Sequence, residues 1–499
     1  MRKYLLSCVA ALAFVMPATA AEQATRGRDA FYYLNELNKA ANVMVVETGI
    51  VPKPLGKQIA ESIATVAKNA DANPKLRSGD YLAVEPLYIE VGGPDITRLH
   101  SGRSRQEIGA VSRRLSQRDR VLATMLSLDK ARTVLLTWAS QHPNALVPSY
   151  THGVQAQPIS FGHYILAYTE ALERDSARLR AAFMNVNQSA MGAAALGTSS
   201  FPIDRKRLAQ LMGFDGILVN SLDANEIAPI DAGVELSSVA ASIGLTVGTF
   251  ASDIEAQYYM STPWILLTEG ELTGTSSIMP QKRNPSALEK LRLDASRTVG
   301  DAMAFYINAH NVSAGMNDYK GAEPERALTT ASTTLDDVTQ MIPGLLFNEK
   351  RALDEVNADY SVTTELADIL QRDAGVPFRV GHHFASEMVE FGRAARLRPA
   401  EIKYADAKRI FSKAATDFKL KDTNFPLTEA RFRVALTAEN MVSSAKPMGG
   451  PQPSEVQNML KAQQDQLQKD KAWTADKMAA LDAASKSLND TFEAIRAGK

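Results

Sequence analysis

Three short stretches of the chain concentrate side chains able to do chemistry on a carboxylate. The longest runs Thr273-Gly-Thr-Ser-Ser-Ile-Met-Pro-Gln-Lys-Arg-Asn-Pro-Ser-Ala-Leu-Glu289. It reads as a hydroxyl-rich loop, then a cation (Lys282), an amide (Asn284) and a helix start carrying Glu289. Donors in that density suit a carboxylate or an enolate-like dianion. The same residues would equally make a polar surface turn that caps a helix. The other two stretches are Leu99-His-Ser-Gly-Arg-Ser-Arg105 and Tyr150-Thr-His152, the latter followed by Ala156-Gln-Pro-Ile-Ser-Phe-Gly-His163.

Such loops need a rigid frame, and the rest of the sequence supplies helices. From Leu236 the apolar positions Val239, Ala240, Ile243, Val247, Phe250 and Ile254 follow in steps of three and four, which predicts one face of a helix. Ala, Ser, Gly and Thr fill the remainder and allow neighbouring helices to approach closely. A second helix is expected to begin near Pro158, with Ile165, Tyr168, Leu172 and Leu179 as its stripe, and a third after Pro285, carrying Leu288, Leu291 and Val299. The tail after about residue 455 reads as a solvated terminal helix. Alternating strand patterns are scarce, so the chain is expected to be nearly all α.

With 499 residues, 45% hydrophobic and 22% charged, the chain has ample material for a large core and is not disordered. Lys+Arg 55 against Asp+Glu 56 gives no electrostatic reason to expect nucleic acid. Seven His show no metal-ligand spacing, and no Gly-rich phosphate loop follows a strand, so neither a metal nor a nucleotide cofactor is expected. His310 and His383 receive no role.

The N-terminus reads as an export signal: Met1-Arg2-Lys3, an apolar run from Leu5 to Val15, Pro17, then Ala18-Thr19-Ala20 as the cleavage site. Cys8, the only cysteine, lies inside it; Leu5-Leu6-Ser7-Cys8 loosely matches a lipoprotein acceptor, but too little apolar sequence precedes it. Cleavage after Ala20 leaves a chain with no thiol, hence no disulfide and no Cys nucleophile. The expected location is the bacterial periplasm. No later run reads as a membrane span.

The Thr273–Glu289 stretch resembles the signature loop of the fumarase/aspartase superfamily, Gly-Ser-Ser-x-Met-Pro-x-Lys-x-Asn with a Glu five residues later. Ser276, Ser277, Met279, Pro280, Lys282, Asn284 and Glu289 are in register, and Thr275 stands where that family usually has Gly. Leu99–Arg105 resembles the argininosuccinate lyase motif Leu-His-Thr-Gly-Arg-Ser-Arg-Asn-Asp. Tyr150–His163, Thr198–Arg205, Asn220-Ser-Leu-Asp223 and Thr363–Arg379 resemble further segments of that branch. The resemblance spans roughly residues 80 to 385.

It implies three largely helical domains, the middle one a bundle of long helices packing with three others into a homotetramer core. The boundaries are taken as 1–20 (signal), 21–147, 148–392 and 393–499. It also implies a carbon–nitrogen lyase that eliminates fumarate from an N-substituted aspartate. Ser276 would take the Cβ proton. Lys282, Asn284 and the Thr151 hydroxyl would face the dianion, and Ser277 would bind the substrate. His152 would pair with Glu289 and position the substrate or protonate the leaving nitrogen. Ser104, Arg105 and Gln106 would hold the substrate, with His100 orienting their loop; the sites would combine regions of different subunits.

The match breaks at substrate-facing positions. Gln106-Glu107 replaces Asn-Asp, and Val154 replaces a Gln. Leu34, Asn35, Asn38, Ala40 and Ala41 stand where the family reads Asp-Ile-x-x-Ser-x-Ala-His. Gly315-Met-Asn-Asp-Tyr-Lys-Gly-Ala-Glu323 replaces Tyr-Asn-Lys-Asp-Leu-Gln-Glu-Asp-Lys. The expected substrate is therefore an N-succinyl-type amino-polycarboxylic acid, not necessarily argininosuccinate. The rival readings are a true argininosuccinate lyase, a retired scaffold that binds without catalysis, and a sister elimination or cycloisomerisation.

Overall fold

Helical periodicity becomes helix along most of residues 27–321 and 323–499, the residues this computed structural model describes. The segment expected to be the export signal lies outside them.

Chain order begins with α1 (Ala30–Glu47), whose first turn is capped by the Asp29 carboxylate accepting from Tyr32 N, then α2 (Lys53–Ala72) and α3 (Tyr81–Gly92). The long α4 (Arg105–Gln141) follows, then a hairpin of β1 (Leu146–Thr151) and β2 (Val154–Ser160), and α5 (Phe161–Val186). Pro158 does not open that helix. It pairs with Pro148 in the hairpin, and the Ser160 hydroxyl caps the helix by accepting from His163 N. Two-residue strands β3 (Gln188–Ser189) and β4 (Gly216–Ile217) pair in parallel around α6 (Arg205–Leu211).

Next come α7 (Ala228–Ala256), β5 (Ile265–Leu267), the ladder of β6 (Gly274–Thr275) with β7 (Arg283–Asn284), α8 (Ser286–Ala309) and α9 (Pro324–Met341). β8 (Leu345–Phe347) pairs antiparallel with β5. The small helices α10 (Glu349–Ala358), α11 (Thr363–Ala374), α12 (Phe378–Ala394), α13 (Tyr404–Asp417), α14 (Glu429–Ala435) and α15 (Ala438–Ser444) follow. The long α16 (Pro453–Arg496) ends the chain.

Helices α4, α5, α7, α8 and α9 pack as a bundle around one core. The predicted stripe on α7 is buried throughout, from Leu236 to Ile254. Its small residues do what was expected of them: a Cβ on Gly233 would lie 2.0 Å from the Phe305 ring of α8, and one on Gly244 2.8 Å from the Ala295 carbonyl. The turns around Asp223–Tyr259 are also long and apolar enough to cross a membrane, contrary to the expectation of no such run. Half of that window is buried among the neighbouring helices, so its apolarity serves the bundle. Val234 and Leu245 on α7, with Leu293, Met303 and Ile307 on α8, are exposed apolar residues along the same pair.

Two further cores flank the bundle. One gathers α1–α3, the first turns of α4 and residues 190–224; the other spans Val356–Ala438. The boundary expected after residue 392 therefore falls inside α12. The terminal helix is not merely solvated. Leu460 and Leu467 join the bundle core and Leu488, Phe492 and Ile495 the N-terminal one. Between them buried Asp470 binds Arg132 at 2.6 Å and also Arg180.

Candidate active site

The length of α4 decides the geometry. Its 37 residues extend about 55 Å at 1.5 Å per residue. Ser104, Arg105 and Gln106 sit at its start, and the hairpin bearing Thr151 and His152 follows its end. The Ser276 loop lies at the hairpin end: β5 pairs with β8, whose Phe347 stacks on Phe161 with ring centroids 4.2 Å apart, and Leu272 fills the space over Gly344. One chain thus carries the expected site residues at two opposite ends.

At the Ser276 end, the two-rung ladder Gly274–Asn284 and Thr275–Arg283 closes the loop. Arg283 braces it, binding Glu269 at 2.8 Å and the Pro280 carbonyl at 2.8 Å. Inside, the Ser276 hydroxyl oxygen accepts from Met279 N at 3.0 Å and Ile278 N at 3.4 Å. Backbone N–H groups aimed at that oxygen favour its anionic form. Ser277 and Lys282 are exposed, Asn284 is half-buried, and Glu289 is exposed in the first turn of α8. Thr275 lies in the ladder without a positive φ, so a residue larger than Gly costs no backbone strain there.

The hairpin turns at His152 (φ 54°) and Gly153 (φ 74°), both left-handed, as a two-residue hairpin of this kind requires. Glycine suits that position; histidine accepts it at some cost, a pattern frequent at functional sites. Thr151 and His152 are exposed. The expected pair of His152 with Glu289 is not made within one chain: among the described residues neither side chain has a hydrogen-bond or ion-pair partner. Both side chains are exposed.

At the other end, the Ser104 hydroxyl caps α4 by accepting from Gln106 N at 3.2 Å. Arg105 projects outward, its Nε 3.8 Å from Asp80. The Gln106 amide is bound to Glu226, Nε2 donating to Oε1 at 2.7 Å, and accepts from Lys320 Nζ at 3.3 Å. Glu226 is fully buried and also accepts from Gly315 N at 3.0 Å and the Tyr319 hydroxyl at 3.3 Å, with Lys320 3.4 Å away. Sequence reading missed Glu226, Tyr319 and Lys320. The signal available was one acid in the apolar run after Asp223, placed by the π-helical turn Asp223–Ile227, a distortion frequent at functional sites. His100 is stacked on Tyr81 at 4.3 Å, and burial, followed by the charge of Arg103, pushes its pKa down to about 4, so it is neutral and packs the loop.

Elsewhere, His383, Glu387 and Asp417 bring ligand-type atoms within 4.8 Å of one another, a grouping the spacing did not reveal; the Lys413 ammonium already sits 2.5 Å from Glu387.

A helical bundle presenting a braced serine loop at one end and a Ser-Arg-Gln cap at the other defines a lyase scaffold, and comparison with known proteins agrees. Residues 10–300 match the family model described as lyase, and residues 360–443 the one described as argininosuccinate lyase C-terminal. The chain is 30% identical to the argininosuccinate lyase of Methanococcus maripaludis over 90% of its length and 92% of the relative's. It is 32% identical to that of Methanospirillum hungatei over 82% and 81%. Among solved structures, an EDDS lyase variant with bound fumarate superposes with a TM-score of 0.87 at 26% identity, covering 96% of each chain. A class II fumarase from Schistosoma mansoni, 14% identical with a TM-score of 0.65 over 86% and 96% of the two chains, shares the fold. The chain belongs to the lyase family of the fumarase/aspartase superfamily, in its argininosuccinate lyase-like branch. It is a carbon–nitrogen lyase.

Proposed function

We propose that the chain releases fumarate from an N-succinyl amino-polycarboxylic acid, using Ser276 as the base. The observation that carries this is the Ser276 oxygen held at 3.0 Å by the Met279 N–H inside a braced loop that also carries Lys282 and Asn284. A free serine is far too weak a base, and directed N–H dipoles with a nearby ammonium lower the cost of its alkoxide. The alkoxide removes the Cβ proton, and the electron pair collects on the adjacent carboxylate as an aci-carboxylate. Lys282, Asn284, Ser277 and Thr151 donate to that charge. The C–N bond then breaks, its electrons leave with the nitrogen, which is protonated at or through His152, and fumarate remains. Glu289 orients His152, while Ser104, Arg105 and Gln106 hold the substrate carboxylates, Arg by a bidentate fork.

The two ends of one protomer lie too far apart for this chemistry, so each site is completed by other copies in a homotetramer. The exposed apolar residues on α7 and α8 support an assembly through that face. Export to the periplasm is part of the reading and rests on Met1–Ala20; arginine biosynthesis is cytosolic, which favours a substrate other than argininosuccinate. The test is fumarate release, followed by ultraviolet absorbance, from argininosuccinate, ethylenediamine-disuccinate and N-succinyl amino acids, with Ser276→Ala as control. Release lost in the control supports the reading. Silence across the panel from a folded tetramer, or equal release by the control, overturns it.

A further inference from the structure

A cavity of about 540 Å³ lies between α4 and the start of α9. Arg113, Arg120, Lys320 and Arg326 line it and outnumber Glu323 and Glu325. Among the described residues no hydrogen bond or ion pair engages the guanidinium of Arg113 or Arg120, whereas Lys320 reaches Glu226 and Gln106. The charges of Glu325 and Glu226 act on half-buried Arg113 through space, but its guanidinium makes no hydrogen bond among the described residues and so keeps donors for an incoming anion.

The cavity also points toward the substrate-binding cap. On α4, residues 106, 109, 113, 116 and 120 follow at steps of three and four, so Gln106 and Arg113 share one face. The position between them is Gly109, which has no side chain to block the way. The Arg113 guanidinium leans back across it, Nη1 lying 3.4 Å from where a Cβ would stand. Lys320 closes the path, lining the cavity while donating to Gln106.

We infer that this cavity receives the amine half of the substrate, and that Arg113, with Arg120 and Lys320, selects leaving amines that carry carboxylates. This rests on the lyase reading above and assigns the residues that would recognise the leaving amine of that substrate. Burial holds the Arg113 guanidinium below the usual arginine value, against the opposing pull of Tyr319, Glu325 and Glu226.

The experiment compares kcat/KM for ethylenediamine-disuccinate, whose leaving amine bears two carboxylates, with that for N-methylaspartate, whose leaving amine bears none. Wild type, Arg113→Leu and Arg113→Lys are assayed, and taking the ratio of the two substrates cancels any loss of folded enzyme. The ratio is expected to fall about tenfold or more in Arg113→Leu, the scale of one charge-assisted hydrogen bond, and to recover in part in Arg113→Lys. Wild type that turns over only the carboxylated substrate supports the same conclusion. A ratio unchanged in Arg113→Leu, with fumarate still released, overturns this inference and leaves the lyase reading intact. If wild type releases no fumarate, the lyase reading fails, and calorimetric binding of ethylenediamine-disuccinate to wild type and Arg113→Leu decides for the cavity: a tenfold loss supports it and equal affinity overturns it.

Discussion

The two ends of the bundle are built on opposite plans. At the Gln106 end, a fully buried carboxylate, Glu226, gathers an amide, a backbone N–H, a phenol and an ammonium from residues up to 120 positions apart. At the Ser276 end, Thr151, His152, Ser277, Lys282 and Glu289 are exposed, and of these groups and half-buried Ser276 only the serine oxygen has a side-chain hydrogen bond among the described residues. The first end is organised within the protomer. The second has its backbone organised and most of its side chains open to solvent. On the proposed reading, in which several copies complete one site, the recognition cap is fixed in advance and the proposed base stays accessible until assembly covers it.

The largest effect that would sharpen this contrast is at the exposed end. Ser276→Ala is expected to lower fumarate release by about 10³-fold or more, the upper range for removal of a general base, with circular dichroism unchanged. A loss below tenfold would show that the loop is not where the proton is taken. At the other end the expected damage is structural. Glu226→Gln leaves Lys320 beside a neutral amide in a buried setting, so thermal or urea unfolding is expected to show a loss of about 3 kcal/mol. Stability equal to wild type would mean that the cap is not organised by its buried charge.

A group midway along α4 separates scaffold from site. Asp129 is buried, neither carboxylate oxygen has a hydrogen-bond partner among the described residues, and burial raises its pKa from the ordinary 3.8 to about 7. The folded chain therefore holds a proton there that the unfolded chain releases. Its contribution to stability falls as pH rises from about 4 to about 7 and stays low above. Asp129→Asn is expected to add on the order of 2 kcal/mol at pH 8 and nothing near pH 4, measured by urea unfolding at both values. The smallest effect is expected at Thr275, exposed in its ladder. Thr275→Gly should change stability by less than about 1 kcal/mol and leave turnover within about twofold, since nothing strained is relieved. A large gain in turnover would instead mark Thr275 as a brake on the loop.

How much of this was legible in the sequence follows from range. The serine loop and the α7 stripe are local patterns, and the structure keeps both where the residues placed them. The start of α5 was misplaced because Pro158 suits a first helical turn as well as a hairpin strand, and only its pairing with Pro148 decides. Asp470 and the buried leucines of α16 were hidden by the Gln, Lys and Asp around them. The Glu226 node was harder to read: its one local signal is an acid just before α7, and its partners come from two distant segments, Gln106 and Gly315–Lys320.

The central claim is that one working site draws on both ends of the bundle, from different copies. It is tested most directly by mixing two variants, Ser276→Ala and Arg105→Gln, each expected to be nearly silent alone. After dissociation and reassembly, hybrid oligomers should release fumarate, because some sites then pair an intact Ser276 loop with an intact Arg105 cap. Hybrids verified by native mass spectrometry that stay as silent as their parents would contradict the account.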